Sequence, residues 1–81
     1  MTEEQLKKET KKWLEKIEKK LSGVRSHDEK GEYFLKNINA YVSDSKHFLE
    51  KGDLVRAFEA VIWAWAWLEI GLELDKLESP E

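Results

Sequence analysis

The sequence predicts an all-α protein, an antiparallel up-and-down three-helix bundle. Three observations carry this. Apolar residues recur every three or four positions through three long stretches, the spacing of one helix face. Helix formers dominate: 13 Glu and 12 Lys stand among 81 residues, against one Pro and four Gly, and breakers are correspondingly scarce. The stretches are divided near Gly23 and Gly52 by connections too short for parallel neighbours,. A chain of this length holds one core, so a single domain is expected.

Helix one is expected at about residues 3–22. Thr2 with Gln5 three residues on reads as a capping box,. Gly23 would close the helix in the left-handed conformation. The apolar stripe runs Leu6, Thr10, Trp13, Leu14, Ile17, Leu21 and Val24. Its outer face interleaves Lys and Glu, with Glu4–Lys8 and Glu15–Lys19 at i,i+4. Such pairs stabilise an exposed helix by roughly 0.2–0.5 kcal/mol each.

Helix two is expected at about residues 27–51, or from near Glu32 if Gly31 breaks it. Ser26-His27-Asp28-Glu29 has the S-x-x-E form of a second capping box, and Gly52 follows the last turn,. Phe34, Ile38, Tyr41, Ser45 and Phe48 should point inward, flanked by Leu35, Val42 and Leu49. The Ser45 hydroxyl would bond to a carbonyl one turn back. Helix three is expected at about residues 54–77, capped by Asp53 and closed by Ser79-Pro80.

Helix three is the informative one. At 100° per residue it carries two large apolar seams on opposite sides. One is Leu54, Phe58, Val61, Trp65, Leu68 and Leu72; the other is Trp63, Trp67, Ile70, Leu74 and Leu77. Between them lies a small-residue stripe of Ala57, Ala60, Ala64 and Gly71, opposite a solvated side bearing Glu59, Glu69 and Glu73. The apolar arc is about 220°, where a peripheral helix needs somewhat over 100°. Either both seams wrap around the other two helices, or the second seam faces outward and is covered by another molecule. The second reading makes Trp63, Trp67, Ile70, Leu74 and Leu77 an interaction face, with the tryptophans as anchors. A second copy of the chain, forming a two-fold homodimer, is the simplest cover.

Composition excludes much chemistry. With no Cys there is no disulfide framework, no thiolate metal site and no thiol nucleophile,. No phosphate-cradling glycine loop occurs. Asp44 and His47 stand at i,i+3, but on the outer face of helix two and without further ligands,. His27-Asp28-Glu29 is explained by a helix cap, and no serine has a His placed to activate it. No catalytic residue, metal or cofactor is expected, and the chain reads as a non-enzyme. Leu54–Trp67 is interrupted by Arg56 and Glu59, so no membrane span is expected. With a polar N-terminus that has no signal-peptide form, this points to a cytoplasmic protein. Residues 1–30 carry net +2 and residues 31–81 net −5, with only Arg25 and Arg56 as arginines, which makes nucleic acid an unlikely partner. The Glu- and Lys-rich composition matches the bias of thermophile proteins.

Lys51-Gly52-Asp53-Leu54-Val55-Arg56-Ala57 with Ala64 resembles the turn and second helix of one tetratricopeptide hairpin, a fold that needs several repeats,. The Arg-x(4–6)-His signature of helical HEPN-type nucleases is absent. The run from Tyr41 to Gly71 resembles domain of unknown function 357, a family of small archaeal proteins. His47-Phe48-Leu49-Glu50-Lys51-Gly52-Asp53, Arg56-Ala57-Phe58-Glu59-Ala60 and Ala64-Trp65-Ala66-Trp67-Leu68 carry the likeness. The resemblance implies an archaeal source and a left-handed up-and-down three-helix bundle, with no activity to carry over. The sequence therefore favours a protein-interaction module or homodimeric adaptor working through helix three. The alternatives are a nucleic-acid accessory protein using the lysines of helix one, or a small-ligand binder with a pocket among Trp13, Trp63, Trp65 and Trp67.

Overall fold

A computed structural model describes residues 1–80. Helix α1 spans Glu3–Leu21, α2 Glu29–Lys51 and α3 Leu54–Glu73. They form an antiparallel up-and-down three-helix bundle. Two short strands, β1 (Arg25–Ser26) and β2 (Leu77–Glu78), pair antiparallel across one end, with Ser26 opposite Leu77. The long dimension, 39 Å, is little more than the roughly 35 Å expected of the 23 residues of α2 at 1.5 Å each,.

Each helix starts on a side-chain cap. Thr2 Oγ1 accepts from the Gln5 amide at 3.1 Å, and Gln5 Oε1 accepts from the Thr2 amide at 2.9 Å, the capping box the residues predict. Glu3 and Glu4 in the first turn of α1, and Lys19 and Lys20 in its last, complement the helix dipole,. For α2 the cap is Asp28 and not Ser26: Asp28 Oδ1 accepts from the Gly31 amide at 2.8 Å. Ser26 is drawn off into the strand pair, where its hydroxyl donates to the Glu32 carboxylate. The helix accordingly begins at Glu29, two residues later than the spacing of Ser26 and Glu29 suggests. Asp53 caps α3, accepting from the Arg56 amide at 3.2 Å.

The helix ends correct the sequence reading twice. Gly23 is not left-handed; α1 leaves through tight turns, and the one positive-φ glycine is Gly52 at the end of α2, at φ 79°. Helix α3 stops at Glu73, four residues short of Leu77 and well before Pro80. Its stop is Asp75, at φ 58°. The Lys76 amide donates to the Gly71 carbonyl and the Asp75 amide to that of Leu72, so the chain reverses in a Schellman motif,. Aspartate tolerates this conformation better than most residues, but it is a weaker signal than glycine.

Helix α3 lies between the other two, which barely meet each other. Its buried line is the small-residue stripe, Ala57, Ala60, Ala64 and Gly71, together with Val61 and Leu68. Small side chains permit close approach, and Leu14, Ile17, Phe34, Ile38, Val42 and Leu77 complete the core. Two polar side chains are buried and both are satisfied. Thr10 Oγ1 donates to the Leu6 carbonyl at 2.8 Å. Ser45 Oγ donates at 2.7 Å to the carbonyl of Ala57, across the α2–α3 interface and not back along its own helix.

Candidate functional site

The two seams of α3 have different fates. On the first, Val61 and Leu68 are buried and the rest half-buried, with Trp65 and Leu72 packed against the core. Trp65 closes this side: its Nε1 donates to the Trp13 carbonyl at 3.2 Å, and the two rings meet edge to face at 5.6 Å. Lys16 and Lys12 lie over the Trp13 ring at 4.7 and 5.3 Å.

The second seam is only partly covered. Trp63 is 58% exposed, Ile70 48% and Leu74 58%. The Trp63 ring rests on Tyr41, nearly parallel at 6.4 Å between centroids. Trp67 is half-buried, edge-on to Phe34 at 5.0 Å and to the exposed Tyr33 at 6.1 Å. Leu77 is not part of this face at all. With α3 ending at Glu73, the chain folds back and sets Leu77 into the core at 2% exposure, against Phe34 and Gly71.

Of the five residues expected to form the contact face, Trp63, Ile70 and Leu74 are thus exposed, Trp67 bridges face and core, and Leu77 is internal. Val55 and Ile62, which stand among the glutamates of the solvated side, are exposed as well and extend the apolar surface. Tyr33 was not found by sequence reasoning. No period marks it, because it sits beside the inward Phe34 and joins the face only through Trp67.

Other sequence candidates stay apart. The four tryptophans line no common pocket: Trp13 and Trp65 meet on the α1 side, while Trp63 and Trp67 pack on aromatics of α2. Asp44 and His47 are exposed. Asp28 is engaged as a cap and pairs with Lys76 at 3.3 Å. The Gly31 amide, and then Lys76, hold its carboxyl below the usual carboxylate range. Among the described residues, no three His, Asp or Glu side chains gather as metal ligands. No described helix is long and apolar enough to cross a membrane.

The charge that α3 itself carries around the exposed face is one-sided. Glu59, Glu69 and Glu73 are exposed on α3. Arg56, its one basic residue, lies 3.6 Å from Asp53 and 6.0 Å from the Phe48 ring.

The sequence matches the model of a family described as a protein of unknown function (DUF357) over residues 7–77. The chain belongs to the DUF357 family. The span matched takes in all of α2 and α3, the tight turn at Gly52 and the return strand as far as Leu77. A crystal structure of a DUF357 protein from Archaeoglobus fulgidus is 60% identical and superposes with a TM-score of 0.87. The similarity covers 95% of this chain and 96% of that one. That relative is archaeal, as the resemblance implies. No curated protein matches.

Proposed function

We propose that this DUF357 chain is a protein-interaction module whose contact face is the outer side of α3 with the adjoining aromatics of α2. One observation supports this above the rest. Trp63, Ile70 and Leu74 stand about half-exposed along roughly three helical turns, continuous through Trp67 with the exposed Tyr33. A soluble chain seldom leaves a contiguous large apolar surface open unless something covers it. Trp and Tyr suit such a face, offering large area on few rotatable bonds. Among the described residues no three His, Asp or Glu side chains gather as metal ligands, and the exposed aromatic face is what supports binding.

A second copy of the chain, in a two-fold homodimer, is one candidate cover, and the same experiment tests for it. A photo-reactive amino acid is placed at Ile70 and, as a control, at Lys11 on the outer side of α1. Specific protein adducts from position 70, absent from position 11 and lost on Trp63→Glu, support the reading. An adduct joining two copies of the chain identifies the cover as itself. No adduct at position 70, or adducts indifferent to Trp63→Glu, overturn it.

A further inference from the structure

The charges that frame the apolar face select among its occupants. Glu59, Glu69 and Glu73 stand at spacings of three, four and seven residues from Ile62, Trp63 and Ile70, so they rise on the same side of α3. Among the described residues none of the three is in an ion pair. Arg56, the one cation of α3, is turned to Asp53 and Phe48.

A second copy of the chain fits this pattern poorly. Glu59 and Glu73 lie seven residues on either side of Ala66, the smallest side chain on the outer surface of α3. A two-fold antiparallel pairing about Ala66 therefore sets Glu59 of one copy against Glu73 of the other. A parallel pairing sets each carboxylate against itself. Like charges meet in both of these pairings, and two-fold symmetry repeats the conflict. Anionic partners such as nucleic acid meet the same carboxylates. A cationic partner turns all three into attractions, and the exposed face of Trp63 adds a surface on which a guanidinium or ammonium can rest,.

We propose that the face receives an amphipathic helix whose apolar stripe is bordered by lysine or arginine and docks through anchors spaced i, i+3, i+4 and i+7. This rests on the reading of α3 as a contact face and specifies its partner. From Val55 to Leu74 the face runs about 28 Å at 1.5 Å per residue, room for a partner helix of about 18 residues.

The test uses the full chain and two synthetic helical peptides of about 18 residues with the same leucine stripe, one bordered by lysine and one by glutamate. Binding is followed by tryptophan fluorescence and calorimetry. The lysine peptide should bind at least about tenfold more tightly, a margin of about 1.4 kcal/mol. The preference should reverse in the triple variant Glu59→Lys, Glu69→Lys, Glu73→Lys. It should be unchanged when Glu4, Glu15 and Glu50, exposed positions outside α3, are reversed instead. Trp63→Glu should abolish binding. Equal binding of both peptides, or a reversal produced equally by the control set, overturns the charge selection while leaving the face intact, provided Trp63→Glu still abolishes binding. A chain that sediments as a dimer, excludes both peptides and becomes monomeric on Trp63→Glu shows a second copy as the occupant and overturns the inference. Binding that survives Trp63→Glu overturns both the inference and the reading beneath it.

Discussion

Ser45 ties two helices together with one hydroxyl. It is fully buried on α2, and its proton goes to the Ala57 carbonyl on α3. That carbonyl also lies inside a helix and keeps its partner four residues on, so removing the hydroxyl orphans nothing. Ser45→Ala should therefore destabilise by only about 1 kcal/mol, the net worth of one neutral hydrogen bond. In a domain of this size that lowers Tm by about 4–8 °C, readable by thermal circular dichroism. That Ser45 points inward was legible from its spacing; which carbonyl it finds was not, because the partner lies on another helix. Asp28 acts through charge. Its carboxyl is held below its ordinary value by the Gly31 amide and by Lys76. A group of this sign stabilises the fold above its unfolded pKa, and the contribution is lost as pH falls through the lower folded value. Between about pH 5 and about pH 2 the Tm of the natural chain should fall further than that of Asp28→Asn. Equal losses would show that the cap does not titrate with folding.

At the scale of elements, the return strand β2 is what the helical pattern did not announce. The three helices, their inward stripes and the Thr2 and Asp53 caps follow from local spacing, which the sequence states directly. The end of α3 depends on an aspartate adopting a glycine-like conformation, and β2 depends on pairing Arg25–Ser26 with residues some fifty positions away. No local period records either. Leu77 illustrates the consequence: its position is right for the second seam of a longer helix, but the early stop makes it core. Gly31 is the other side of this contact, since a Cβ there would lie 2.2 Å from the Lys76 carbonyl oxygen and 2.9 Å from Ser26 Cβ. A chain ending at Asp75 should lose about 2–4 kcal/mol, chiefly the burial of Leu77. Gly31→Ala should destabilise the full chain by about 1–3 kcal/mol, despite alanine's better helix propensity. In the shortened chain the obstructing carbonyl is gone and Ser26, no longer paired with Leu77, is free to give way, so Gly31→Ala should become neutral or mildly stabilising. Denaturant unfolding of the four proteins measures this coupling, and additive effects would show that Gly31 is not read by the strand.

For the whole molecule, the question the sequence raised was where one bundle could hide a helix that is apolar on two sides. The structure divides the answer. The small-residue stripe is the buried line of α3; the first seam leans onto α1, and the second is left half open beside α2. The second seam is neither wholly wrapped around the other helices nor wholly turned outward, and side-chain size decides this. Alanines at positions 57, 60 and 64 bring the helices together, and the tryptophans are too large to follow them inward. The two seams should then separate in their energetics. Trp65 holds a hydrogen bond and an edge-to-face contact with Trp13, so Trp65→Ala removes packing, an aromatic pair and a polar tie together. A loss of about 2–4 kcal/mol is expected, somewhat under the value for a fully buried tryptophan. Trp63 keeps most of its surface in water and touches mainly Tyr41. Trp63→Ala should remove less than about 1 kcal/mol. Urea titrations with unchanged m-values compare the two directly. If Trp63→Ala proves as damaging as Trp65→Ala, the second seam is structural after all and has no surface to spare for a partner. If it is nearly silent in folding, this large exposed side chain is free to serve as a contact.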